Sequence, residues 1–410
     1  MKKYDVLILC QFFYPEHVST ATLPYEMAED LVKKGLTVRV VCGYPNRNDD
    51  KGKLPKRENI NGIEIRRLNY TQLPKASKIG RLINYFSFMI AVILRWRLLI
   101  NNKCIIVYSN PPVLPLITAI NKKLFKVKYI FVSYDIYPDI ALVTKQIKEN
   151  SFIHRMMSRV NRQMDKTVDK VISLSNDMKD YILKTRKSIS ADRIEVIPNW
   201  YDNNDMDAHG SDDIINNELI LLKEKYSLII LYSGNMGIAQ DMETILKTAK
   251  YMKRNKDVLF IFAGNGQKAD KIKEEINESK LSNVRFYDYL LGQDYINILK
   301  ISDVHIISLV DGITGMAVPS KTYSYMSIGR PLIAIIAENT DIAKDINNYK
   351  LGCTLNTNDV DKFANYISYL EENKSEVVKI GNRVVEVFNK KYTRKISTTK
   401  YYELIKELIE

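Results

Sequence analysis

Cysteine is scarce in this chain, four residues in 410, and none of the four (Cys10, Cys42, Cys104, Cys353) has a CxxC partner or Cys/His ligand spacing. That excludes a disulfide framework and a zinc module. Three of the four lie in or beside apolar strand-like runs and read as reduced core thiols of a cytosolic protein. Long apolar runs are missing as well. The most apolar stretch, Lys78–Ile100 (KIGRLINYFSFMIAVILRWRLLI), carries Arg81, Arg95 and Arg97, so its uncharged span falls short of the ~20 residues that cross a bilayer. The apolar run at the N-terminus is short, is broken by Pro15 and Glu16, and has no small-residue cleavage site after it. It reads as a first β-strand rather than a signal peptide. Helix-turn-helix, RNP and zinc-knuckle patterns are absent, and the basic residues are dispersed, so nucleic acid is not an expected partner. Negative charge is the minority sign, 48 acidic against 61 basic residues for a net +13. The excess favours an anionic partner such as a phosphorylated substrate or an anionic lipid surface.

What is present is an α/β pattern that occurs twice. At 46% hydrophobic and 27% charged the chain is globular, and its length allows two domains with full cores. Tyr4–Cys10 is a near-continuous apolar strand of the kind buried on both faces in a parallel sheet. A loop, an amphipathic helix over Tyr25–Lys34 stopped by Gly35, and a strand over Thr37–Cys42 follow. That is a doubly wound opening. Asn46–Lys56 reads as a polar loop, Ile63–Arg67 as a strand and Phe152–Asp169 as a helix. Strands at Ile105–Tyr108 and Tyr129–Ser133 end in Ser109-Asn110-Pro111-Pro112 and Tyr134-Asp135-Ile136-Tyr137-Pro138-Asp139. A carboxylate at the C-terminal end of a parallel strand points into the crevice where such sheets bind ligands. Asp135 and Asp139 are therefore the acid candidates of this half: Asp135 could orient a hydroxyl or accept its proton, whereas Asp139 is expected to cap the next helix.

The polar run Asn203–Asn217 reads as a linker, and the pattern restarts after it. The strand Leu228–Tyr232 leads into Ser233-Gly234-Asn235-Met236-Gly237, and Val258–Ala263 leads into Gly264-Asn265-Gly266. A glycine-rich strand-to-helix turn is a phosphate site in principle. His305 lies on an apolar strand and reads as a satisfied core histidine. The segment Val310–Ile336 (VDGITGMAVPSKTYSYMSIGRPLIAII) runs from a strand through a glycine-bearing loop into a short helix. Unpaired N–H groups and the dipole at such a helix start favour an anion, with Lys321 adding a charge. An ordinary strand–helix connection with a surface lysine fits the same residues. The apolar Lys78–Ile100 helix likewise has two readings: an interfacial helix on an anionic membrane, or a helix buried against the sheet.

The segment VPSKTYSYMSIGRPLIA resembles the donor-holding motif V-P-S-K-x-Y-x-Y-M/L-x-x-G-R-P-L/V-I-A of family 4 glycosyltransferases. The branch in question makes capsule, O-antigen and exopolysaccharide units and includes N-acetyl-fucosamine transferases. Ser109–Pro112 resembles the S-x-P-P signature of that branch, Asp135–Asp139 its D-x-W/Y-P-D/E, and Ile197–Asp202 its domain-junction motif. The opening is similar too, but His17-Val18-Ser19-Thr20 stands where the family has a glycine pair, and Leu36 where it has a histidine. The resemblance implies the GT-B fold, α/β, with two facing Rossmann-like domains and a cleft between them. The acceptor domain spans 1–202, the donor domain 203–385, and a C-terminal helix over 386–410 crosses back to the first.

The resemblance also implies roles. Gly234, Asn235, Gly237, Gly264, Gly266, Tyr287, Gly315, Met316, Ala317, Ser320, Lys321 and Tyr323 would contact the donor. Glu16, His17 and Asp135 would face the acceptor, with Asp135 and Lys321 catalytic. The activity implied is retaining transfer of a sugar, an N-acetylated deoxyhexosamine or hexosamine, from a nucleotide diphosphate donor, UDP first. The implied acceptor is a polyprenyl-diphosphate-linked saccharide at the inner face of the plasma membrane, which the Lys78–Ile100 helix would touch. No cofactor and no metal are expected, because Lys321, loop amides and helix dipoles can neutralise a leaving diphosphate. Two departures stand out. The lysine that many members place after the first glycine turn is replaced by Ile238-Ala239-Gln240. The Glu-x7-Glu pair is lost as well, its second position falling on Ser324 and its first on Met316, with Asp311 upstream. Two other functions share the pattern: a non-catalytic subunit of a membrane polysaccharide complex, which shows no donor turnover, and a sugar-nucleotide epimerase, which needs no acceptor.

Overall fold

The computed structural model describes residues 3–16, 18–45, 54–74, 78–202 and 216–410. His17, most of the loop expected over 46–56 and most of the linker expected over 203–217 lie outside these residues. Two compact units emerge. The first comprises Met1–Asn199, Gly315–Val318 and Arg394–Glu410, the second Trp200–Thr314 and Pro319–Thr393.

The first unit is built from β1 (Tyr4–Leu9), α1 (Ser19–Lys33), β2 (Val38–Gly43), β3 (Arg57–Ile60), β4 (Ile63–Leu68), α2 (Lys78–Ile93), α3 (Arg97–Ile100), β5 (Asn102–Tyr108), α4 (Pro115–Phe125), β6 (Lys128–Ser133), α5 (Asp139–Val143), α6 (Phe152–Asp165), β7 (Lys170–Ser173), α7 (Asn176–Thr185) and β8 (Ile194–Val196). Its sheet runs β3-β4-β2-β1-β5-β6-β7-β8, parallel except for β3. The β3–β4 hairpin turns at Asn61-Gly62, both at positive φ, a dipeptide suited to a tight hairpin. Helix α1 begins six residues before the expected Tyr25 and carries Pro24 inside it. The proline's single missing N–H is tolerated where Leu23, Met27, Ala28 and Leu31 bury a continuous apolar face.

The second unit follows with α8 (Asn217–Lys225), β9 (Leu228–Ser233), α9 (Met242–Tyr251), β10 (Val258–Ala263), α10 (Ala269–Glu278), β11 (Val284–Tyr287), α11 (Gly292–Ile301), β12 (Val304–Ser308), α12 (Lys321–Ile328), β13 (Leu332–Ile335), α13 (Asp341–Tyr349), β14 (Gly352–Leu355), α14 (Val360–Glu372) and α15 (Lys374–Lys391). All strands are parallel, in the order β11-β10-β9-β12-β13-β14. Strands β9 and β10 are buried at every residue. Each such leucine, isoleucine or phenylalanine contributes about 1.5–3 kcal/mol, whereas an exposed pair such as Lys247–Glu243 adds at most ~1 kcal/mol. The two sheets, not surface charge, hold the units together.

The last helix, α16 (Arg394–Ile409), returns to the first unit after a break at Tyr392–Thr393. The return thus begins at Arg394 rather than at 386. Arg394 meets Asp30 in a two-pronged ion pair at 2.8 and 2.9 Å and reaches Glu29 at 3.0 Å, all on α1. Thr398 donates to the same Asp30, and Ser397 donates to the Pro198 carbonyl.

Helix α2 has a buried side and an exposed apolar side. Asn84, Phe88 and Val92 are buried, while Ile79, Ile83, Ile90 and Ile93 are exposed, with Leu94 just beyond. Leu124 and Phe125 of α4 are also exposed, and Phe125 lies against Trp96. Among the described residues no helix is long and apolar enough to cross a membrane.

Candidate active site

In the second unit, two glycine turns stack at the C-terminal ends of β9 and β10. Gly234 N–H donates to the Ala263 carbonyl, Met236 N–H to Asn265 and Lys268 N–H to Met236. This lacing brings the backbones so close that a Cβ on Gly264 (φ +145°) would sit 1.9 Å from the Gly234 carbonyl oxygen. Only glycine fits there. Gly266 packs in the same way against the Met236 backbone. Where a lysine was missed from the sequence, Gln240 closes the turn. Its Oε1 accepts from Gly237 N–H at 3.1 Å and from the Asn235 amide at 3.4 Å.

Lys321 opens α12 and lies over this turn. A Cβ on Gly234 would be 3.6 Å from its Cγ. Its ammonium rests 3.9 Å from the centre of the Tyr295 ring. The two tyrosines of the S-K-x-Y-x-Y motif do different things. The Tyr325 hydroxyl donates to the Ser233 carbonyl at 2.7 Å and accepts from Ser233 N–H at 2.8 Å, bolting α12 to the end of β9. His305 lies against Tyr325, with Nε2 at 3.2 Å from the Leu299 carbonyl. Burial pushes its pKa down to about 3 and keeps it neutral. Tyr323, expected at the donor, is buried instead against Tyr392, and its ring belongs to the core. Gly234, Gly237, Gly264, Gly266 and Lys321 are thus gathered in one unit, with Asn235 exposed beside them and Ser320 exposed at the helix start. Tyr287 contributes its carbonyl to Gly264 N–H, while its hydroxyl donates to Glu218.

Gly315, Met316 and Ala317 belong to the first unit. Ala317 forms an antiparallel bridge with Asp135, and Ile136 N–H donates to the Met316 carbonyl at 2.8 Å. Gly315 (φ +75°) passes so close to α7 that a Cβ would lie 2.7 Å from the Asp177 carbonyl and from Tyr181. These three residues line the exit of β6.

Asp135 stands at that exit. Ser109, from the S-x-P-P stretch, accepts with its hydroxyl from Tyr134 N–H (3.0 Å) and Asp135 N–H (3.2 Å), so the two motifs are one device. Burial alone pushes the Asp135 carboxyl up to about 6, within reach of a general base working near neutral pH. Asp139 does not cap α5. It is the first helical residue, and its carboxylate accepts from the Tyr181 hydroxyl at 3.0 Å. Glu16 is half-buried near Tyr70 and Cys42, whose ionisation its charge opposes. Among the described residues no group of three or more His, Cys, Asp or Glu could hold a metal ion. Sequence reasoning missed Tyr295, Gln240 and the role of Ser109. Ser109 and Tyr325 stand inside recognisable motifs, whereas no local signal marks Tyr295.

Residues 20–205 match the family model for Glycosyltransferase Family 4, and residues 214–386 match that for Glycosyl transferases group 1. The chain is a glycosyltransferase. The enzyme is 23% identical over 302 residues to "Probable glycosyltransferase WbjE" of Pseudomonas aeruginosa, covering 73% of this chain and 74% of that one. It is 25% identical over 179 residues to "Putative colanic acid biosynthesis glycosyl transferase WcaI" of Escherichia coli K12, covering 43% of each. Among solved structures it is similar to Anabaena HepE, crystallised in complex with UDP, at a TM-score of 0.69 and 14% identity over 98% of this chain and 100% of that one. The two parallel-sheet units are those of the GT-B fold.

Proposed function

We propose that this glycosyltransferase moves a sugar from a UDP-linked donor to a lipid-linked saccharide in bacterial surface polysaccharide synthesis. The observation that carries this reading is the convergence of Gly234, Gly264 and Lys321 at the strand ends of the second unit. Close-packed glycine turns leave backbone for a diphosphate, and the start of α12 supplies a positive dipole beside a lysine charge. The UDP in HepE and the colanic acid in the name of WcaI support the donor and the pathway class.

In the reaction proposed, the bond from the anomeric carbon to the diphosphate breaks and one to the acceptor hydroxyl oxygen forms. The hydroxyl proton passes to Asp135 or to the departing phosphate, and anomeric configuration is retained. Lys321 and the backbone amides stabilise the leaving charge, so no divalent cation is required. The sugar is an N-acetylated hexosamine or deoxyhexosamine. The exposed isoleucines of α2 with Leu94, rimmed by Arg95 and Arg97, rest on the inner face of the plasma membrane, where anionic lipid and a polyprenyl-linked acceptor meet the enzyme.

The test is calorimetric titration of the purified protein with UDP, GDP and CMP, beside Lys321→Ala. Binding of UDP that is weakened, though still measurable, in the variant is the expected result. Wild-type affinity in Lys321→Ala would remove the donor-site assignment.

A further inference from the structure

Lys321 has no carboxylate beside it in the described structure. Its ammonium lies over the face of Tyr295, on α11, 3.9 Å from the ring centre. The ring is itself held. Ser324, one turn along α12, donates its hydroxyl proton to the Lys321 carbonyl at 2.9 Å. The Tyr295 hydroxyl therefore donates to Ser324 Oγ, at 2.8 Å. The hydroxyl thus tethers one edge of the ring to the helix that carries the lysine, and the face is left to the ammonium. The lysine stem runs over Gly234, where no Cβ intervenes.

We infer that Tyr295 is a positioning residue for Lys321, holding the ammonium over the glycine turn where the donor diphosphate binds; the inference rests on the donor-site reading above. Lysine is a compact charge on a flexible four-carbon stem. A stem of that kind left free spreads its charge over many positions. A carboxylate neighbour would fix it but would also neutralise it. An aromatic face fixes it through the ring quadrupole and leaves the full charge for an anionic ligand. The tyrosine hydroxyl adds the orientation that a phenylalanine ring lacks.

The experiment is a double-mutant cycle read by calorimetry with UDP or GDP, whichever binds the wild type. Tyr295→Leu is expected to weaken binding about tenfold, which corresponds to ~1.4 kcal/mol, the size of a partly desolvated cation–π contact. Tyr295→Phe keeps the face and stays within about threefold of wild type. In a Lys321→Ala background, Tyr295→Leu adds no further loss. Should Tyr295→Leu fold poorly, pentafluorophenylalanine at position 295 keeps the shape, reverses the ring electrostatics, and is expected to show the same tenfold loss. Wild-type binding in Tyr295→Leu or in the fluorinated variant, with Lys321→Ala impaired, overturns this inference and leaves the donor site standing. Losses that add in the double variant also overturn it, since the ring would then act apart from the lysine. Wild-type binding in Lys321→Ala defeats the donor-site reading instead.

Discussion

Replacing Gly264 with alanine tests the close backbone approach on which the two glycine turns depend. The new methyl would lie 1.9 Å from the Gly234 carbonyl oxygen, 2.9 Å from its carbon and 3.2 Å from its nitrogen. Ordinary contact begins at 3.4 Å, so the two turns must part by 3.4 − 1.9 = 1.5 Å. The three nearest atoms are all backbone, so no side chain can swing aside to relieve the closest clash. Overpacking of this kind costs ~1–3 kcal/mol, and an L-residue at φ +145° adds ~1–3 kcal/mol of strain. With about 3 kcal/mol lost from a unit of this size, where each kcal/mol moves Tm by roughly 2–4 °C, the second unit should melt about 6–12 °C lower. Circular dichroism on heating reads that shift, and nucleotide titration reads the movement of Gly234 from beneath Lys321. Gly292→Ala is the control, because its added methyl meets nothing within 4 Å and only its φ of +55° opposes it. A Gly264→Ala protein that melts within 2 °C of wild type and binds nucleotide normally would refute the close approach and the site built on it.

The Asp135 carboxyl, raised to about 6 from 3.8 by burial, gives a pH signature. As a base it works when deprotonated, so kcat/KM should climb through about pH 6, and Asp135→Asn should abolish that limb and lower the rate by ~10²–10⁴. The sign for stability is opposite. The fold favours the protonated acid, so this group's contribution is greatest below pH 3.8 and is lost as pH rises to 6. Melting curves across that window should show the loss in wild type and not in Asp135→Asn. On α2, Ile90 and the following Leu94 are 53% and 71% exposed. Replacing both with serine should lower partitioning onto phosphatidylglycerol vesicles by about tenfold per residue, from the ~1.5–3 kcal/mol that burying such a side chain contributes. Unchanged sedimentation with vesicles would end the membrane reading for this helix.

The alternation of strand and helix was legible because parallel strands buried on both faces read as short apolar runs, such as Val258–Ala263. Asp139 was misjudged because the same acidic residue can sit at the first helical position and serve a tyrosine across the fold. Strand β3 was overlooked, although Asn61-Gly62 marks its turn; its residues are half-exposed and too polar to show a buried period. The glycines of the two strand-end turns could be named from the strand-to-helix pattern. Their mutual contact could not, because it depends on two strands paired side by side. Tyr295 lay beyond sequence reasoning altogether: a tyrosine in the first turn of an amphipathic helix looks the same whether it faces solvent or a lysine 26 positions on.

The first unit is assembled from three separated stretches of chain, the last of them α16, which Arg394 fastens to α1. Domains generally fold as units, N-terminal ones first, while the chain is still being synthesised. Here the sheet whose strands leave the ribosome first cannot receive its covering helix until every strand of the other sheet has been made. The second unit can close first, and the enzyme's earliest residues wait longest for their final neighbours.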